Sequence, residues 1–294
     1  MIYDIRQLST CVYASPVARA RHVLRQMPIN RPGQRVHVAA LQIGPEPQHW
    51  REGLDFFGNR LTWIDLEEPH SLLTIRLTAR VSVDSLIEVS PRATPAWEAA
   101  RDQAFATTDI GPTSPAHFVF ASRMVSLDPE IRDYAQESFS PGRPVLDAAV
   151  ELMHRLKSDI AYEIGATTVT TTPPMSFALR RGVCQDFAHI MISGLRGIGL
   201  PAGYVSGYLR SAPRTDDATR LQGTDAMHAW VLVWCGPQTG WIGLDPTNAM
   251  LASDEHIVLA LGRDYADVAP MDGVIVGSGG QRIEVGVSVT PVAN

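Results

Sequence analysis

Cysteine is scarce in this chain: Cys11, Cys184 and Cys235 are the only three in 294 residues. One thiol at least must stay unpaired, and so few cannot form a disulfide scaffold, which favours a reducing compartment. Lysine is scarcer still. Lys157 stands alone beside 24 arginines, so the chain offers almost no amine for modification or for cross-linking to itself. No run of about 18 uncharged apolar residues occurs, which argues against a membrane-spanning helix. Residues 1–6 also lack the apolar core of a secretion signal, so the expected location is cytoplasmic, with no membrane partner. The formal net charge of -6 disfavours a general binder of phosphate backbones. Six arginines in the first 40 residues face the single acid Asp4, yet no aromatics interleave with them, and no nucleic-acid partner is expected. The chain has no calcium-loop pattern and no phosphate-binding glycine loop, and its Cys/His spacings match no pair of zinc-ligand hooks. The expectation is therefore no cofactor and no metal.

What is present is a folded chain, 45% hydrophobic and 19% charged, long enough for about two domains of roughly 150 residues. Residues 1–95 read as short strands separated by turns. The clearest strand is 73–83, where odd positions are mostly apolar and even ones polar, as a sheet with one wet face requires. This pattern predicts an antiparallel, β-sandwich-like N-terminal domain that supports the rest or positions a substrate. Residues 96–139 form a linking segment with short helices, one over 97–106 and one starting at Asp128-Pro129. Residues 140–294 form the catalytic domain. Its first helix spans 144–159, with Leu146, Val150, Met153 and Leu156 inward, and Ser176 can cap a short helical piece before Gly182.

The chain is organised around residues 180–200. Gly182 relieves crowding at a sharp turn, after which Ala188, Met191, Ile192, Leu195 and Ile198 follow helical spacing. Cys184 falls in the first turn of that helix, where unpaired N–H groups and the positive end of the dipole favour a thiolate. It still needs a base. Strands follow at 204–209, 228–234, 241–245, 256–261 and 283–289, with a polar, mobile lip over 211–225. The strands at 228 and 241 are joined closely enough for a hairpin, which lets His228 and Asp245 meet across neighbouring strands. Cys184 then attacks an acyl carbon, His228 takes and returns the proton, and Asp245 fixes the imidazole. The Cys184 N–H supplies one oxyanion donor, while Gln185, Tyr162 and Arg180 are the side chains near enough in sequence to supply a second.

Other polar and aromatic residues have plainer readings. His189 lies about 140° around the helix from the thiol and is disfavoured as the base. Asp186 organises the helix start, and Asp264 and Asp267 are solvated or capping acids. Trp230, Trp234 and Trp241 pack the sheet, with Trp230 the one best placed to wall the site.

Residues 181–189 with 199–208, His228-Ala229-Trp230 and residues 241–247 resemble the cysteine, histidine and aspartate motifs of the bacterial transglutaminase-like superfamily. Residues 262–268 are similar to the segment that follows them, and Phe57-Gly58-Asn59 with Pro69-His70 to its N-terminal region. The resemblance implies an α+β fold: a papain-like, transglutaminase-like core with the nucleophile helix packed on an antiparallel sheet. It also implies Cys184, His228 and Asp245 as the triad. Ala202-Gly203 departs from the pattern, since the family usually has an arginine near the tyrosine there. The expected function is a cysteine amidohydrolase or peptidase acting on a peptide or protein acyl substrate through a thioester. Amine transfer to a protein glutamine by the same triad, and a non-catalytic binding protein on the same fold, are the alternatives.

Overall fold

The computed structural model describes residues 1–84, 89–210 and 227–292. Six strands come first: β1 (Ile2–Val17), β2 (Arg19–Leu24), β3 (Gln34–Gly44), β4 (His49–Leu54), β5 (Arg60–Leu66) and β6 (His70–Val83). The middle of the chain holds α1 (Trp97–Phe105), α2 (Pro129–Gln136), α3 (Val145–Asp159), α4 (Pro173–Leu179) and α5 (Cys184–Gly197), with the short paired strands β7 (Ala161–Tyr162) and β8 (Arg181–Gly182). Then come β9 (Ala202–Leu209), β10 (Met227–Trp234), β11 (Trp241–Asp245), β12 (Met250–Leu251) and β13 (His256–Gly262). The last elements are α6 (Tyr265–Val268), β14 (Met271–Val276) and β15 (Gln281–Pro291).

The alternation in β6 does what it predicts, burying Leu73, Ile75, Leu77, Ala79, Val81 and Val83. The first region is not built only of short strands, however. β1 runs 16 residues and pairs with both β6 and β15. Its inward side includes Gln7 and Ser9, which interrupts the apolar alternation that marks a strand; inside, Gln7 bonds Ser9 and Gln26. The N-terminal sheets have the orders β15-β1-β6-β3 and β14-β2-β5-β4. Both terminal strands therefore complete the N-terminal β region, although the expected boundary placed 140–294 in one catalytic unit. Local sequence patterns identify a strand, but its partner is settled by long-range pairing, and here the chain returns to its own beginning.

The remaining sheet, β12-β11-β10-β9-β13, is antiparallel throughout. Helix α5 packs against it, joining Phe187, Met191, Ile192 and Leu195 to Ala229, Val231 and Val233 in the main core. On its other side Trp230, Val205 and Val258 pack with Ile29. Tyr208, Ile257 and Leu259 extend into a core shared with Tyr3, Ile5, Leu77 and Val81, so the two regions are joined by buried apolar surface. Asp128 caps α2 as its position suggests. Ser176 does not cap α4; it lies inside the helix and donates back to the carbonyls of Thr172 and Pro173. The expected lip over 211–225 lies outside the described residues.

Candidate active site

Cys184 is the first residue of α5, and the local sequence builds that start tightly. The Asp186 carboxylate accepts the Val183 N–H at 2.8 Å and the Thr167 hydroxyl at 2.6 Å. A Cβ on Gly182 would lie 2.5 Å from that carboxylate, so the glycine is required by close approach. Asp186 is thus a buried brace. Burial pushes its carboxyl up from the usual range, and the hydrogen bonds oppose that shift.

His228 and Asp245 lie on neighbouring antiparallel strands, at the start of β10 and the end of β11. Val231 faces Leu244, which moves the hairpin register two residues from a direct His228–Asp245 pairing. An even shift keeps both side chains on one face. The imidazole Nε2 meets the Asp245 Oδ2 at 2.8 Å, with both side chains wholly buried. Nδ1 is also buried and has no hydrogen-bond partner of ordinary geometry. Burial disfavours the charged imidazole, but Asp245 outweighs it, and the Cys184 thiol adds to the same direction; the His228 pKa is raised. Asp245 is held well below the usual carboxylate range: burial pushes its pKa up, but His228 and His256 outweigh it.

Sequence reasoning missed His256. The Ser253 N–H donates to its Nδ1 at 3.1 Å, so that nitrogen carries no proton and Nε2 donates to Asp245 Oδ2 at 3.3 Å. Asn248 adds an amide donor to Oδ2 at 2.7 Å, and the Thr247 and Asn248 N–H groups donate to Oδ1 at 3.0 and 3.2 Å. The only signal for this cradle was the turn chemistry after Asp245.

His228, Asp245 and His256 place their ligand atoms within 4.8 Å of one another. Two of those separations are 2.8 and 3.3 Å and are bridged by protons, whereas ligands about 2.0–2.1 Å from a shared zinc leave their lone pairs free for it. The cluster is arranged as a hydrogen-bonded carboxylate, not as a cation cage. His189 takes no part in either arrangement. It is buried, accepts the Tyr265 N–H at 3.2 Å, and burial lowers its pKa to about 4.

Among the three side chains considered as second oxyanion donors, Gln185 donates to Val169 O and Arg180 lies over Phe177. Tyr162 differs. Burial raises its pKa to about 12, with the charges of Cys184 and Asp245 adding to the effect, so the hydroxyl keeps its proton. Trp230 stacks on His228, with ring centroids 6.1 Å apart, and is a buried wall behind the imidazole. Trp234 packs in the main core, and Trp241 donates to Thr113 O. Asp264 caps α6 and accepts Met124 N–H, while Asp267 pairs with Arg263. At Gly203, Phe118 stands 3.2 Å from the position of an added Cβ, filling the wall that a larger residue would need. A cleft of roughly 550 Å³, lined by Val169, Thr171, Tyr265 and Met271, adjoins this end of the sheet.

Residues 3–82 match the bacterial transglutaminase-like N-terminal region and residues 132–246 the transglutaminase-like superfamily. An uncharacterized protein of Mycobacterium tuberculosis is 38% identical over 277 residues, covering 90% of this chain and 84% of the relative. The chain belongs to the bacterial transglutaminase-like superfamily. A candidate cysteine protease from Cytophaga hutchinsonii has the same fold, at a TM-score of 0.75 and 21% identity, with 100% of this chain and 92% of that one covered. The periplasmic domain of TgpA from Pseudomonas aeruginosa is also matched, at a TM-score of 0.38 and 18% identity over 82% of this chain and 87% of that one. The cytoplasmic expectation does not stand, because the cysteine count behind it decides nothing. Scarce cysteine does not choose a compartment: the three thiols here are unpaired, which either side of a membrane permits. So remote a likeness does not in turn assign the periplasm.

Proposed function

We propose that this protein is a cysteine-dependent amidohydrolase or peptidase in which Cys184 is the nucleophile, His228 the general base and acid, and Asp245 the residue that orients the imidazole. The observation that carries the reading is the fully buried 2.8 Å His228–Asp245 hydrogen bond, made on the strand that packs against the cysteine helix. With Nε2 committed to Asp245, Nδ1 is the nitrogen left to take the thiol proton. The sulfur then attacks the carbonyl carbon of a peptide or isopeptide bond. The tetrahedral oxyanion is held by the Cys184 N–H at the helix start and by the Tyr162 hydroxyl. Collapse breaks the C–N bond as His228 protonates the departing amine, leaving a thioester on Cys184. Water, deprotonated by His228, adds to the thioester and releases the acid and the thiol. An amine in place of water would give transfer, so which of the two reaches the thioester decides the product.

The test is a screen of peptide and isopeptide substrates, with and without a labelled primary amine, comparing wild type with Cys184→Ala. Hydrolysis should fall by at least about a thousandfold in the variant, the scale seen when a nucleophile is removed. Amine incorporation without hydrolysis would replace the hydrolase reading with transfer. Equal, non-zero activity of both proteins would remove Cys184 as the nucleophile, and no activity on any substrate would favour a binding protein.

A further inference from the structure

On the side of the central sheet away from α5, a cavity of roughly 170 Å³ lies between the β13 strand and the turn that follows Asn30. Its walls are Trp230, Trp241, Leu232 and Val258, with Arg31 and Ser253 as its polar members of interest. The turn is fixed: Arg31 and Gln34 exchange backbone hydrogen bonds at 3.0 and 2.9 Å. Gln34 in turn clamps Val258, accepting its N–H at 2.7 Å and donating to its carbonyl at 2.8 Å. His256 has both nitrogens engaged with Ser253 and Asp245. Of the polar side chains Arg31, Gln34, Ser253 and His256, all are thus engaged with one exception.

That exception is Arg31. The residue is half-buried, its guanidinium forms no hydrogen bond or ion pair with any described residue, and among the described residues no carboxylate lines the cavity. Burial lowers its pKa with nothing opposing the shift. A guanidinium has five donors and no acceptor, and arginine is rarely taken from water without a partner. The missing partner is an anion with two acceptor atoms, which a carboxylate presents in matching fork geometry. Two indole rings and two aliphatic side chains suit an apolar body, not a bare inorganic ion. A cavity of about 150 Å³ can enclose a benzene-sized group, so the volume here limits the body to that scale.

We propose that this cavity is a binding site for a small organic carboxylate, with the acid group on Arg31 and an apolar body of about phenyl size against Trp230, Trp241, Leu232 and Val258. The site is distinct from the cysteine chemistry, and its occupancy is independent of whether Cys184 turns over a substrate. His256 stands between the two, touching Asp245 on one side and lining the cavity on the other.

The test uses the full chain and follows tryptophan fluorescence and calorimetry during titration with benzoate, its neutral isostere benzamide, and N-acetylphenylalanine. Benzoate should bind saturably and at least about tenfold more tightly than benzamide, the margin expected of a charge-assisted pair. Arg31→Gln should lose the same factor, and Arg31→Lys should lie between. Unchanged thermal midpoints would show that the fold survives in both. N-acetylphenylalanine binding as well as benzoate would extend the ligand class to the free end of a peptide; weaker binding would restrict it to free acids. Equal affinity for benzoate and benzamide, full benzoate affinity in Arg31→Gln, or no saturable binding would overturn the proposal.

Discussion

His189 and His228 are both buried, and their opposite behaviour follows from what faces each ring. His189 makes no ion pair with a described residue, accepts a backbone N–H, and has its pKa lowered to about 4 by burial that the charge of Asp264 offsets only in part. The unfolded chain therefore takes up the proton first as acid is added. The stability from burying a neutral His189 is full above pH ~6.5 and is lost as pH falls toward 4, up to ~3 kcal/mol. His189→Gln keeps an acceptor and cannot titrate, so urea unfolding across this range should show a shallower acid loss in the variant. Identical pH slopes would refute the assignment. His228 has the reverse sign. Its raised pKa adds stability that is full below the unfolded value and is lost as pH rises through the folded one. The pairing of His228 with Asp245 was legible because a short hairpin joins their strands, and the start of a helix at Cys184 because helical spacing begins there. His256 was not legible, since its role depends on β13 aligning beside β9 to bring it onto the Asp245 carboxylate.

At the scale of elements, close backbone approach explains residues that pattern alone leaves neutral. Gly207 on β9 is one: a Cβ there would lie 2.1 Å from the Ile257 carbonyl and 2.5 Å from the Trp230 ring. Gly207→Ala should therefore cost at least ~2 kcal/mol, by displacing β13 or the tryptophan that backs His228. Gly286 on β15 has nothing within 4 Å of the same position, so Gly286→Ala should be neutral or stabilising by roughly 0.5 kcal/mol. Thermal melts of the two variants distinguish these outcomes, and equal midpoints would contradict the packing argument. The same distinction separates what could be read in advance. β6 announces itself by alternation, whereas β1 buries Gln7 and Ser9 on its inner side and is revealed only by its partners.

Across the whole molecule, the chain closes on itself: β14 pairs with β2 and β15 with β1, and Tyr208, Ile257 and Leu259 share a core with Tyr3, Ile5 and Leu77. A fragment of residues 140–294 would expose that apolar surface and leave its last two strands without partners. It should show no cooperative melt, while the full chain shows one; an independently folded fragment would contradict this. That closure could not be read locally, because strand pairing over such distances leaves no mark in a short window. The same fold joins His228 to Asp245 on neighbouring strands, and the proposed delivery of the Cys184 thiol to that pair is the central claim. Its most direct test is the rate at which iodoacetamide alkylates Cys184 near pH 6.5, measured by peptide mass mapping in wild type and His228→Gln. Cys184 should react ahead of buried Cys11 and Cys235, and at least about tenfold faster in wild type than in the variant. Equal rates in the two folded proteins would contradict the claim that His228 arms the thiol.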